Sequence, residues 1–126
     1  MASRMFQFQY SYERDLAQLD LKINIGASGA PTVNLGKGLT SITRNSAGNY
    51  TLVLKDVHNK LMGVSAAFIS GASAPAAPAI NVVSEAVNTV GTQTVVIQCR
   101  NAAGAATDPA SGEVMLLQIL CRDAST

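Results

Sequence analysis

Few residues that could do chemistry occur in this chain of 126 residues. The single histidine, His58, lies in a polar stretch from Asp56 to Lys60, and no cysteine is near it at a metal-ligand spacing. It is therefore predicted to be a surface histidine in a turn. Gly36-Lys37-Gly38 lacks the spacing of a phosphate-binding loop, and no Gly-x-Ser-x-Gly motif marks a nucleophilic serine.

The acidic residues are scattered and show no spacing typical of a catalytic carboxylate pair. Asp108 begins the sequence Asp-Pro-Ala-Ser-Gly, which ends at Gly112. In such a sequence the aspartate can bond the backbone two residues on, proline pre-sets φ, and glycine closes the turn. Asp108 is therefore predicted to be a structural turn residue. We expect no enzyme activity, no metal site and no cofactor.

The charge content excludes one class of partner. Charged residues make up 13% of the chain and the formal net charge is +1, with no basic run. Nucleic-acid binding needs clustered lysine and arginine to contact phosphates, so a nucleic-acid partner is not expected. No apolar run approaches the ~20 residues that span a bilayer, so no membrane partner is expected either. A charge-poor surface is compatible with a protein that works packed against other proteins.

The two cysteines are predicted to be free and buried. The segment from Met1 to Tyr12 alternates instead of forming the apolar block of a signal peptide, which indicates synthesis in a cytoplasm. Thiols stay reduced in that compartment. Cys99 and Cys121 each fall in a predicted strand, where cysteine behaves as a small hydrophobe. An interstrand disulfide is the alternative.

The clearest local signal is a β-hairpin. Ile42 leads into a link from Asn45 to Asn49 that is made of the residue types that turns use. Tyr50, Leu52 and Leu54 follow on one face of a strand, with polar or smaller residues between them. This alternation is typical of a half-buried strand, and the link is at the longer end of hairpin loops.

Further apolar or alternating runs predict a fold made of strands. They are Leu19–Ile25, Val33–Leu35, Ile80–Val87, Thr94–Arg100 and Glu113–Arg122. The nearly continuous apolar run Leu61–Ser70 predicts a central strand covered on both faces. A helix over Leu16–Ile25 is the alternative at that position, but the strict alternation argues against it. About eight strands separated by turns indicate an all-β, single-domain antiparallel sandwich or barrel, jelly-roll-like in kind.

The N-terminal segment is distinct from the rest of the chain. It holds four of the six aromatic residues at alternate positions, namely Phe6, Phe8, Tyr10 and Tyr12. In a strand all four would project from one face. They then belong either to a first strand packed on its own core or to an arm laid on a neighbouring subunit. We divide the chain into an arm or edge strand at 1–14 and one β domain at 15–126.

Two segments together resemble a small protein family encoded by tailed bacteriophages. The first runs from Ser41-Ile42-Thr43-Arg44 through Gly48-x-Tyr50-Thr51-x-Val53-Leu54 to Asp56 and Asn59-Lys60-Leu61. The second is Ala106-Thr107-Asp108-Pro109-Ala110-Ser111-Gly112-Glu113, just before an apolar C-terminal strand. Their order and spacing cover most of Ile25 to Leu120 and carry no catalytic motif.

The resemblance implies a virion structural protein, in particular a capsid decoration or cement protein. Its expected partners are the major capsid protein and copies of itself, as a homotrimer or, alternatively, a dimer. It would be made in the bacterial cytoplasm and located on the capsid surface. A low-copy head-fibre, neck or tail protein is the first alternative. A carbohydrate-binding β domain is the second, although tryptophan is absent and the only aromatics beyond Tyr12 are Tyr50 and Phe68.

We assign the expected protein contacts to the N-terminal segment and to a proline-containing loop, Gly71 to Ala79. The candidate contact residues are Phe6, Phe8, Tyr10, Tyr12, Arg14, Pro75 and Pro78. The aromatics would supply buried area at such a contact, and the prolines cannot join a central ladder and so mark an irregular loop.

Overall fold

The protein is all-β, as the alternating pattern predicts. The structure is a computed structural model that describes residues 16–70 and 75–122. The strands are β1 (Leu16–Ile25), β2 (Pro31–Leu35), β3 (Leu39–Ser46), β4 (Asn49–Leu54), β5 (Lys60–Ile69), β6 (Ala79–Glu85), β7 (Thr94–Arg100) and β8 (Val114–Arg122). A 3-10 turn, Ala27–Gly29, links β1 to β2. Across the described ranges no helix is long and apolar enough to cross a membrane.

The strands form two four-stranded antiparallel sheets that pack as a sandwich. Sheet A has the order β2-β1-β8-β5 and sheet B the order β3-β4-β7-β6. The hairpins β1–β2, β3–β4 and β6–β7 each stay within one sheet, while the other connections cross between sheets. The predicted sandwich of about eight strands is therefore confirmed, and β1 is a strand over its whole length and not a helix.

The core lies between the sheets and is built from alternate residues of the central strands. Its fully buried aliphatic members each contribute about 1.5–3 kcal/mol relative to exposure. On β4 they are accompanied by Tyr50, the one aromatic residue of the buried cluster within the described part of the chain. The inward buried residues of the other central strands are Leu21, Ile23, Ile25, Val95, Ile97, Cys99, Met115, Leu117, Ile119 and Cys121. Both cysteines are free and buried, as predicted.

The predicted hairpin is present, but its turn is shorter than expected. Strand β3 continues through Ser46 and β4 begins at Asn49, so only Ala47 and Gly48 lie outside the ladder. A register shift between Arg44 and Ser46 takes up the additional residue. The Asn49 side chain donates a hydrogen bond to Ser46 Oγ at 2.8 Å, which helps to close the turn.

The prediction that Leu61–Ser70 forms a central strand covered on both faces is wrong. Within residues 16–70 and 75–122, β5 pairs with β8 alone and so lies at the edge of sheet A. Val64 and Phe68 pack against the core, but Met62 and Ile69 are 50% and 51% exposed. Both faces of β5 therefore carry apolar residues, one face packing on the core and the other lying on the outer surface of sheet A.

The proline-containing loop joins sheet A to sheet B. Residues 71–74 lie outside the described part of the chain. Of the two candidate contact residues in this loop, Pro75 is half-buried and Pro78 is exposed. Ala77 between them is fully buried and ties the loop to the core. The strand that follows ends at Glu85, two residues before the predicted end at Val87.

Candidate functional site: the Asp108 cluster and the outer face of sheet A

Asp108 is the centre of a polar cluster that joins distant parts of the chain. Arg44 donates from Nε to Asp108 Oδ1 at 2.9 Å and from Nη2 to Oδ2 at 2.8 Å. The main-chain N–H of Gly48 donates to Oδ1 at 2.8 Å. The Tyr50 hydroxyl donates to the carbonyl oxygen of Gly29 at 2.8 Å and lies 3.4 Å from Asp108 Oδ1. We call Arg44, Gly48, Tyr50 and Asp108 the Asp108 cluster.

The fold brings these residues together at one end of the sandwich. Arg44, Gly48 and Tyr50 come from the β3–β4 hairpin of sheet B. Gly29 belongs to the turn between β1 and β2 of sheet A, and Asp108 to the loop before β8. At Gly29, with φ of 75°, a Cβ atom would lie 2.6 Å from Asp108 Cγ, so the approach requires glycine. The cluster thus fastens both sheets to one loop.

The ion pair and the pKa shifts of the cluster indicate a structural role. The Arg44 hydrogen bonds, aided by the Gly48 N–H, lower the pKa of Asp108, and Asp108 in turn raises the pKa of Arg44. Burial and the Asp108 carboxylate raise the pKa of Tyr50, and the same two causes raise the pKa of Cys99 to about 11. At neutral pH the phenol and thiol are therefore protonated. Both carboxylate oxygens of Asp108 accept hydrogen bonds from donors of the protein itself.

Asp108 is structural, but not in the local way its sequence suggests. The prediction that it bonds the backbone two residues on is wrong, because its described bonds reach Arg44, Gly48 and Tyr50 instead. Glu113 closes the local turn, since its Oε1 accepts from the main-chain N–H of Ala110 at 2.6 Å. The long-range donors win because the carboxylate faces the hairpin and an arginine offers a bidentate, charged partner.

The prediction that His58 lies on the surface is also wrong. The residue is 7% exposed. Its main-chain N–H donates to the carbonyl oxygen of Val87 at 2.9 Å, which joins the turn to the chain beside the buried Val87 side chain. Among residues 16–70 and 75–122, no three histidine, cysteine or acidic side chains are grouped as metal ligands would be.

The outer face of sheet A carries exposed apolar side chains on β2, β8 and β5, while the outward side chains of β1 between them include Gln18, Asp20, Lys22 and Asn24. Cross-strand pairing places Leu35, Lys22, Leu116 and Ala67 in one row across the four strands. Leu35 is 69% exposed and Leu116 is 38% exposed. Other rows of the same face pair Val114 with Ile69, Gln118 with Ser65 and Leu120 with Gly63.

Two shallow grooves lie on this outer face, on either side of Gln118. One, of about 270 Å³, lies between Leu35, Leu116 and Gln118. The other, of about 260 Å³, lies between Gln118, Leu120 and Gly63. Both are bordered mainly by apolar atoms and open to solvent, as expected of a surface that receives side chains from outside.

The predicted contact residues fall largely outside what the structure describes. The aromatics of the N-terminal segment and Arg14 lie outside the described residues. Leu116 and Leu35 are candidate contact residues that the sequence analysis missed. The available signal was the apolar character of both faces of β8, which a strand with one solvent-facing side does not need.

The charge of Asp108 predicts an acid-sensitive component of stability. Because the folded pKa of Asp108 lies below its ordinary value of 3.8, this stabilisation is complete above that value and is lost as the pH falls through the folded pKa. We expect the stability advantage of the wild-type chain over Asp108→Asn to shrink as the pH is lowered below 3.8. Urea unfolding of both chains between neutral and acid pH measures it. A gap that is constant with pH would contradict the ion-pair account.

The protein is a small antiparallel β-sandwich with the Asp108 cluster at one end and exposed apolar side chains on the outer face of sheet A. Comparison with known proteins found no matching family model, no matching curated protein and no matching solved structure.

Proposed function

We propose that this chain is a structural protein of a tailed-bacteriophage virion, specifically a capsid decoration or cement protein. It binds the outer surface of the mature head and stabilises it through contacts with the major capsid protein and with its own copies. The family resemblance of the two segments around the hairpin and Asp108 supports this proposal. The proposed role does not require a catalytic group.

The observation that carries the proposal is the exposed apolar face of sheet A on a chain with so few charges. Leu35, Leu116 and Ile69 lie on one outer face, and charged residues make up 13% of the sequence. Leu116 and Ile69 lie on neighbouring strands, and Lys22 separates them from Leu35. Exposed apolar side chains with polar residues around them are typical of sites of protein association. A low charge density also weakens the repulsion between many copies placed side by side.

The stabilisation would arise by mass action. A protein that binds the assembled lattice but not the separated subunits adds RT ln(1 + [L]/Kd) per site, which is about 2.7 kcal/mol at a hundredfold excess over Kd. Contacts repeated over a shell therefore resist the internal pressure of packaged DNA. Stabilising a capsid in this way requires a stably folded domain. The two-sheet sandwich with its Asp108 cluster is such a domain.

Co-sedimentation tests the proposal. Purified protein is mixed with particles that lack it, and the bound copies per particle are counted while the temperature of particle disruption is measured. We expect saturable binding of many copies, comparable in number to the capsid subunits, and a higher disruption temperature.

Other outcomes would overturn the proposal in distinct ways. Binding of only a few copies would place the protein at a neck, tail or head fibre. Absence of binding would remove the decoration role and favour a ligand-binding β domain. Heat-unfolded protein serves as the control for non-specific adsorption.

A further inference from the structure

We propose that the outer face of sheet A receives the N-terminal aromatic segment of a second copy of this chain. The segment in question is Phe6–Tyr12, which lies outside the described residues. This inference concerns contacts between copies in solution, so it stands apart from binding to a capsid.

The two outer faces of the sandwich differ in a way that selects sheet A. The face of sheet A presents Leu35, Leu116 and Ile69, all well exposed. The corresponding face of sheet B carries hydroxyl and amide side chains together with apolar ones no larger than valine, and its cross-strand pairs include Ser41 with Val53, Thr43 with Thr51, Thr51 with Val96, Ser84 with Val96, Asn81 with Gln98 and Ala79 with Arg100. An apolar occupant therefore gains more from covering sheet A.

The grooves have the spacing that an extended segment would need. They lie on opposite sides of Gln118, displaced by about two residues along the strands, which is about 7 Å, and by about one strand, which is about 5 Å. Side chains at alternate positions of an extended chain are also about 7 Å apart. The two displacements combine to about 9 Å, slightly more than the separation of alternate side chains, so two neighbouring rings of the series Phe6, Phe8, Tyr10 and Tyr12 can reach the two grooves.

The charges of the two surfaces are compatible. The sequence from Phe6 to Tyr12 contains no charged residue. On the outer face of sheet A, Asp20 and Lys22 are two residues apart on β1, so their charges offset each other locally. Arg122 and Lys60 lie in the last described row of this face, beyond Leu120, so an uncharged aromatic strip over the two grooves leaves them at its edge and avoids the cost of burying a charge.

The chain that precedes β1 is long enough to reach a second copy. The described part of β1 begins at Leu16, opposite Arg122, where the described part of β8 ends. The fifteen preceding residues can span up to about 50 Å when extended, whereas β8 with its nine residues is about 30 Å long. The segment is therefore long enough to cross a neighbour's sheet.

Such an arm-to-face contact joins different surfaces of the two copies. It can close as a ring, including the expected trimer, or reciprocally as a two-fold exchange of arms. Either assembly buries the aromatic strip and the face of sheet A together.

Sedimentation equilibrium of the full chain provides the test. Two variants remove one side of the contact each: replacement of Phe6, Phe8, Tyr10 and Tyr12 by serine, and Leu116→Glu, whose carboxylate would face Lys22 and so preserve folding. The matched controls are replacement of Gln7 and Gln9 by serine, on the other face of the same segment, and Val96→Glu on sheet B. Circular dichroism confirms that each variant is folded.

We expect the full chain and both controls to be oligomers and both contact variants to associate about thirtyfold or more weakly. A synthetic peptide of residues 1–14 should also bind saturably to the full-length aromatic-to-serine variant, and Leu116→Glu in that variant should abolish binding. A monomeric full chain, or contact variants that associate as well as the controls, would overturn the proposal. Capsid co-sedimentation of the same variants separates this failure from a failure of the decoration role.

Discussion

Replacing Gly48 by alanine is expected to destabilise the protein by about 3–5 kcal/mol, the largest effect of any conservative change in the hairpin turn. Gly48 has φ of 76°, a conformation that costs an L-residue about 1–2 kcal/mol. In addition, an added Cβ would lie 2.6 Å from the Cys99 carbonyl oxygen and 2.7 Å from the Thr107 nitrogen. Both are backbone atoms, so neither can move without breaking hydrogen bonds between the hairpin, β7 and the loop that follows β7.

Gly91→Ala is the matched control for this effect. Gly91 also has a positive φ, of 86°, but nothing lies within 4 Å of its Cβ position. It should lose only the conformational cost of about 1–2 kcal/mol. Urea unfolding of the wild-type chain and both variants measures the difference. Equal losses at the two positions would show that the close approach at Gly48 has no energetic weight.

Replacing Asp108 by alanine is expected to destabilise the protein by about 2–4 kcal/mol, because charge-assisted hydrogen bonds from Arg44 and Gly48 disappear together. The Asp108 side chain is 22% exposed and that of Arg44 is 33% exposed, so water recovers part of the loss. For a chain of this size the melting temperature should fall by about 10 °C. Thermal unfolding followed by circular dichroism measures it.

Two comparisons separate the ion pair from the loss of the side chain itself. Asp108→Asn keeps the shape and one acceptor oxygen, so it should be intermediate between the wild type and Asp108→Ala. The double variant Arg44→Ala with Asp108→Ala should lose less than the sum of the single variants, since each removes the partner of the other. Asp56→Ala, at an exposed position, is the control. Additive losses would mean that the two side chains stabilise the fold separately.

The local alternation of apolar and polar residues was sufficient to predict that the chain forms strands. The alternation of Tyr50, Leu52 and Leu54 predicted which side of β4 is buried, because neighbouring side chains of a strand point to opposite faces. The strand character of the segments around Cys99 and Cys121 likewise predicted that both cysteines are buried, and their free state is as predicted from a cytoplasmic origin. These properties depend on residues close together in the chain.

Local sequence patterns could not predict the place of a strand within its sheet, nor the Asp108 cluster. The apolar run of β5 predicts a central strand, but whether a strand lies at an edge depends on how many other strands pair with it. His58 is buried in a turn that is hydrogen-bonded to Val87, which is far away in the sequence. Asp108 binds a donor from Arg44, 64 residues earlier, so no local window contains both partners.

The sequence by itself determined that this is a small, charge-poor β protein, because composition and a period of two residues are local properties of the chain. Only the tertiary structure decided that Leu35, Leu116 and Ile69 share one exposed face, because that face is assembled from strands β2, β8 and β5 by sheet pairing. The same holds for the Asp108 cluster, which exists only where the ends of both sheets meet.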